Sequence, residues 1–421
     1  MMNSIINQLP PMMSGDTLLS ALQILPKYNK SICTESAAVR LTELSNIYNI
    51  YIPSFMSTEI YSKLYLAIIR SLQKKSGKDL IRQQYENFKA IKQQQYTSII
   101  GGSDSFTIIG CSGIGKSAAI SRAISIATGN TILQAENNFN KIIPCIVVQC
   151  PFDSSVKGML LEILRKVDET LDSHYYTNAI KSRATTDMLI GSVSQVALNH
   201  IGLLIVDEIQ NVVNSKNGKN LIGSLTQLIN NSGISICMVG TPESSKFFEQ
   251  AMQLARRSLG LQYSKLNYDN YFKSFCRIVY SYQYVQNYTP ITDAIIEWLY
   301  EHSGGIISIV VTLIHDAQEI SILNGSESIN FKNLNEAYQT RVALLHNYIS
   351  TSIISNSPTT ISTKKKKTKH SIDKRIETYM TGNIDVQKNL TIASAVKYAK
   401  EHNKNIFLEL QKNFKIIEVK L

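Results

Sequence analysis

The sequence predicts an α/β protein. It has a P-loop core with a parallel sheet and crossover helices, a helical N-terminal segment before it, and a helical lid, a flexible basic linker and a short C-terminal tail after it. Three observations carry this. Short β-branched runs (Phe106–Ile109, Ile142–Val148, Leu203–Val206, Ile234–Val239) alternate with helical stretches, as parallel strands joined by crossovers do. The first run leads into Gly110-Cys111-Ser112-Gly113-Ile114-Gly115-Lys116-Ser117, which fits G-x-x-x-x-G-K-[ST] and opens a helix over Ala118–Ala127. Ahead of this region, Ile60, Leu64, Ile68 and Leu72 recur every four residues, the period of one helix face.

Taken in order, residues 1–100 read as the helical N-terminal segment, with Tyr51-Ile52-Pro53 leading to a helix capped by Ser57-Thr58-Glu59. Residues 101–268 form the nucleotide-binding core and 269–346 the lid. In the lid Ile291–His302, a Gly304-Gly305 break, Ile306–Leu323 and Phe331–His346 read as helix, break, helix and helix. Residues 347–376 are rich in Ser, Thr and Asn and contain Lys364-Lys365-Lys366-Lys367, with nothing to build a core, and read as a flexible linker. Residues 377–421 carry weak periodic signals and read as a tail or docking element. No internal repeat is visible.

With 421 residues and a 44% hydrophobic fraction the chain can bury real cores, so wholesale disorder is excluded. The formal charge of +11 permits a polyanionic partner without proving one. Residues 364–375 alone hold seven Lys/Arg against one acid, Asp373, so much of the excess belongs to the linker. The start, Met1-Met2-Asn3-Ser4-Ile5-Ile6-Asn7, has no basic stretch followed by an apolar run, and no uncharged apolar run approaches the ~20 residues of a membrane span. A cytoplasmic protein with no membrane partner is therefore expected. The six cysteines are scattered, complete no zinc spacing, and are expected to be buried, reduced thiols.

The chemistry concentrates in four places. In Gly110–Ser117 the glycines let backbone N–H groups converge on phosphate oxygens at a helix N-terminus. Lys116 would reach the β- and γ-phosphates of ATP, and Ser117 would ligate Mg²⁺. In Ile201-Gly202-Leu203-Leu204-Ile205-Val206-Asp207-Glu208, an apolar strand ends in two acids. Asp207 would hold the Mg²⁺ shell and Glu208 would polarise the attacking water, although two acids at a strand end also make an ordinary solvated turn. Gln210 and Asn211 just beyond could help to place that water. Thr241, closing the run Ile234–Val239 and Gly240, is a candidate sensor of the γ-phosphate. Arg256 and Arg257, near the end of the following helix, could act on a neighbouring subunit's nucleotide; a favourable interaction with the helix dipole explains them equally. A second sensor would be an arginine just after Gly304-Gly305. Ile306, Ile307, Ser308 and Ile309 stand there instead, so the lid is expected to be wired differently.

Gly110–Ser117, Asp207-Glu208, Val239-Gly240-Thr241-Pro242 and the helical lid together resemble an AAA+ ATPase. Cys150-Pro151-Phe152-Asp153-Ser154-Ser155-Val156-Lys157-Gly158-Met159-Leu160, with Ile209-Gln210-Asn211 and Ala255-Arg256-Arg257, narrows this to the TnsC/TniB family of transposition ATPases, relatives of MuB. The resemblance covers roughly residues 50–345. It implies ATP hydrolysis and a ring or filament of this chain around double-stranded DNA. It further implies recruitment of transposase subunits to a site handed over by a target-selection protein, and disassembly on hydrolysis. It also implies DNA contacts by basic and hydroxyl residues, for which Lys157, Lys181, Arg183 and Thr185 are the matching positions. A helicase loader of the DnaC or IstB kind, and a signalling NTPase that never touches DNA, are the alternative readings.

Overall fold

Strands form where apolar residues can be buried in a sheet, and the four β-branched runs meet that condition. In the computed structural model, which describes residues 5–75, 105–134, 141–213, 215–245 and 260–343 within one compact unit, Met1–Thr359, they become β1 (Phe106–Gly110), β3 (Lys141–Gln149), β4 (Ile201–Asp207) and β5 (Ser235–Gly240). Two edge strands join them, β2 (Leu133–Gln134) and β6 (Leu261–Tyr263), too short to leave a periodic signal in the sequence. The order is β2-β3-β4-β5-β1-β6, antiparallel only between β2 and β3. This is the expected P-loop α/β core. The linker 347–376, the tail 377–421, and Arg256 and Arg257 lie outside the described residues.

The helices are α1 (Gly15–Leu22), α2 (Ala37–Leu44), α3 (Phe55–Lys75), α4 (Lys116–Thr128), α5 (Val156–Leu171), α6 (Tyr175–Lys181), α7 (Thr186–His200), α8 (Gly218–Ser232), α9 (Asn270–Ser281), α10 (Asp293–Ser303), α11 (Ile307–Leu323) and α12 (Phe331–Ala337). Alternation along β4 divides the molecule. Leu204 and Val206 pack with α5, α7 and α8 through Leu160, Val193 and Leu225, while Leu203 and Ile205 pack with α3 and α4 through Leu64, Ile68 and Ile120. A third core joins α2 to α9–α12 around Phe272, Ile296, Leu313 and Ile314.

The N-terminal segment serves two of these cores. Leu18, Leu22 and the α3 face Ile60-Leu64-Ile68-Leu72 cover the sheet, whereas Leu44, Ile47 and Ile50 pack into the lid. The start of α3 corrects the expected cap. Ser54 and Ser57 exchange hydrogen bonds, Ser54 N to Ser57 Oγ at 3.0 Å and Ser57 N to Ser54 Oγ at 3.4 Å, so the cap stands at Ser54 rather than at Ser57-Thr58-Glu59. Of the cysteines, Cys150, Cys237 and Cys276 are buried as expected, but Cys33, Cys111 and Cys145 are partly exposed; all six are free thiols. No helix among the described residues is long and apolar enough to cross a membrane.

One buried ion pair fastens the N-terminal segment to the lid. Arg40, 2% exposed, sends Nη1 and Nη2 to the two oxygens of Glu327 at 2.6 and 2.7 Å, and Nη1 also donates to Tyr284 O at 3.0 Å. The Arg40 hydrogen bonds hold the Glu327 carboxyl below its ordinary range, against the opposing effect of burial. A carboxyl depressed in this way stabilises the fold above its unfolded pKa of about 4.3, and that contribution fades as pH falls through the lower folded value. Glu327→Ala is therefore expected to cost about 3 kcal/mol in urea unfolding at pH 7, because it strands a buried guanidinium. The gap from wild type should narrow progressively below about pH 4.

Candidate nucleotide site

The strand order makes β4, β5 and β1 neighbours, so the segments that follow them converge at one edge of the sheet. Ile109 of β1 pairs with Gly240 of β5, and Val206 of β4 with Met238 of β5, which brings Gly110, Asp207 and Thr241 to the same edge of the sheet. Asp207 and Thr241 line a cleft of about 430 Å³ together with the phosphate loop from Ser112 to Ser117. Its opposite wall comes from the N-terminal segment and the lid, with Tyr48, Ile52, Tyr271, Phe275 and Val311. Sequence reasoning had assigned no site role to any of these five, because they meet only through tertiary packing.

Within the loop, Gly113 and Gly115 have φ of +79° and +93°, a conformation other residues reach only with strain. A Cβ on Gly113 would also come within 2.3 Å of Ser308 Oγ, since the start of α11 leans on the loop. Ser308 N donates to Gly113 O at 3.0 Å, so a backbone contact stands at the position of a second-sensor arginine. Ile114 is buried and pegs the loop, Ser112 is exposed and Cys111 is partly so. Gly115 caps α4, and Ser117 lies exposed in its first turn. Lys116 Nζ turns back on its own loop, donating to Gly110 O at 2.6 Å and Cys111 O at 2.8 Å. Burial lowers its pKa, and the nearby Asp207 charge works against that. A partly buried ammonium that donates to neutral carbonyls can exchange them for an anion. The Ser117 hydroxyl and Asp207 carboxylate are the hard oxygen donors that magnesium takes. The residues present thus fit a magnesium–nucleotide.

At the end of β4, Glu208 takes φ +58° and its N–H donates to Asp207 Oδ1 at 2.8 Å. Gln210 Nε2 donates to Glu208 Oε2, while Gln210 Oε1 accepts from Thr241 N at 3.3 Å. The Thr241 hydroxyl donates to Glu243 Oε2 at 2.8 Å. Asn211 points elsewhere: its Nδ2 donates to Cys150 O at 2.9 Å, and Ser154 Oγ donates to Asn211 O at 3.2 Å. The structure thus separates two residues that the sequence had treated alike. Gln210 faces the acids, whereas Asn211 stitches the Cys150–Ser155 loop to them. That loop holds Phe152 90% exposed.

The four positions matched to DNA contact are all exposed. Lys157 stands in the first turn of α5, after the Ser155 cap. Lys181 ends α6, and Arg183 and Thr185 follow in the turn to α7, with Arg183 at φ +51° and Thr185 accepting from Met188 N at 3.4 Å as the cap of α7.

Residues 80–265 match the model of the family described as TniB, Bacterial TniB protein. The centre of this chain is TniB-like. That bears out the resemblance read from Cys150–Leu160, and the matched span contains the P-loop, both acids and Thr241. No curated protein matches the sequence. Three of the solved structures to which the chain is similar illustrate the likeness. The Orc1 protein of Aeropyrum pernix in complex with DNA is 14% identical with a TM-score of 0.41, over 66% of this chain and 67% of that one. Drosophila ORC bound to DNA is 12% identical with a TM-score of 0.44, over 82% and 74%. Cdc6p from Pyrobaculum aerophilum is 9% identical with a TM-score of 0.39, over 63% and 68%.

Proposed function

We propose that this chain is an AAA+ ATPase that binds duplex DNA as an ATP-dependent oligomer and regulates transposition. In this reading it links a target-selection protein to transposase subunits and leaves DNA on hydrolysis. The observation that carries the reading is the meeting of Lys116, Ser117, Asp207, Glu208 and Thr241 at adjacent strand ends, inside a segment matching the TniB family. Lys116 exchanges its loop carbonyls for the β- and γ-phosphate oxygens. Ser117 and Asp207 hold magnesium, which when bound neutralises charge on those oxygens. Glu208 orients and deprotonates the attacking water, and Thr241 reports on the γ-phosphate. Arg256 or Arg257 serves a neighbouring subunit, so turnover depends on assembly. Lys157, Lys181, Arg183 and Thr185 contact phosphates, which give affinity without sequence preference.

Co-sedimentation with duplex DNA, with and without ATP, tests this. Wild type is expected to pellet with duplex only when ATP is present, and Lys116→Ala to lose that dependence together with retention. If Lys116→Ala binds duplex as wild type does, nucleotide does not govern assembly. A preference for single strands would instead favour the helicase-loader reading.

A further inference from the structure

We infer that Gln210 is a positioning residue for hydrolysis, coupling Glu208 to the end of the strand that carries Thr241; the inference rests on the ATPase reading above. The orientation of its amide follows from its neighbours. Thr241 N–H can only donate, so the group facing it is Oε1, which leaves Nε2 as the donor to Glu208 Oε2. One side chain thus spans two strand ends, with its acceptor pinned by backbone and its donor aimed at the candidate base. A carboxylate with one oxygen held in this way keeps the other free for water, in a fixed direction.

The surroundings are built to permit it. Ile209, 1% exposed, anchors the turn that carries Gln210. Gly240, immediately before Thr241, has no Cβ; one placed there would meet Gln210 Oε1 at 3.0 Å and Ile209 Cγ2 at 2.7 Å. It would also meet Ser244 Oγ at 2.6 Å, so a side chain at 240 would crowd the turn on which Gln210 approaches the Thr241 amide. Gln210 also lines both the nucleotide cleft and the outer cleft that holds Phe152, Asp153 and Glu243, so it stands in the wall between them.

The test is Gln210→Met in the full-length chain, which keeps the volume and removes both hydrogen bonds. The expected result is a kcat lower by about 10- to 100-fold, part of what a general base supplies. The ATP KM should stay within about twofold and the thermal midpoint should not move, because neither the phosphate loop nor a core contact changes. In a Glu208→Gln background the same substitution should have no further effect, since the group it positions is gone. A wild-type kcat for Gln210→Met overturns the inference while leaving the ATPase reading intact. So does a parallel loss of kcat, nucleotide affinity and thermal midpoint, which marks a purely structural bridge. Failure of the ATPase reading looks different: wild type and Lys116→Ala would then turn over ATP at one background rate, and both ideas would fall.

Discussion

Glu208→Gln is expected to lower kcat by about a thousandfold while leaving ATP affinity within about twofold. The substitution is nearly isosteric and removes the charge and basicity on which water activation depends. It leaves Lys116, Ser117 and Asp207 untouched, and these are the groups assigned to phosphate and magnesium. Glu208 is exposed at the end of β4, so little packing is lost. Because release from DNA is assigned to hydrolysis, the variant should stay on duplex in ATP where wild type cycles off. Single-turnover hydrolysis together with a fluorescent-nucleotide titration checks this. Equal losses in both would mean that Glu208, held at φ +58°, serves the turn rather than the reaction.

The parts of this architecture visible in the sequence are those governed by local pattern. β1, β3, β4 and β5 emerge within one or two residues of the apolar runs because most of their positions are buried, and α4 begins inside the phosphate loop because Gly115 caps it. What stayed hidden depends on distant residues meeting. Tyr48 and Ile52 reach the cleft because the N-terminal segment folds across to the lid, a path no periodicity encodes. Ser308 contacts Gly113 through its backbone, so its identity gave no clue. Gln210 and Asn211 are adjacent and chemically alike, yet a one-residue step along a turn sends one toward Glu208 and the other toward Cys150. The room that Gly240 leaves for Gln210 depends on the sheet order, which no local pattern carries.

Gly305→Ala is expected to be the most damaging small substitution in the lid, and a comparison with Gly325→Ala separates the two reasons. Both glycines have left-handed backbones, φ +76° and +73°. At Gly325 an added Cβ meets nothing within 4 Å, so alanine there bears only the conformational cost of about 1 kcal/mol. At Gly305 the Cβ would sit 2.1 Å from Leu266 O, and the same two segments are bonded through Leu266 N to Gly305 O at 3.1 Å. They cannot move apart without losing that bond, so overpacking adds to the backbone cost and the total should reach about 3–4 kcal/mol in urea unfolding. The displacement also passes directly into Ile306, Ile307 and Ser308, which bring α11 onto Gly113 of the phosphate loop. ATP affinity should therefore fall by about tenfold, the equivalent of one lost hydrogen bond, in Gly305→Ala and not in Gly325→Ala. If the two variants lose stability equally and both keep wild-type nucleotide affinity, contact between α11 and Gly113 does not couple lid to loop. The absent lid arginine would then have no backbone substitute.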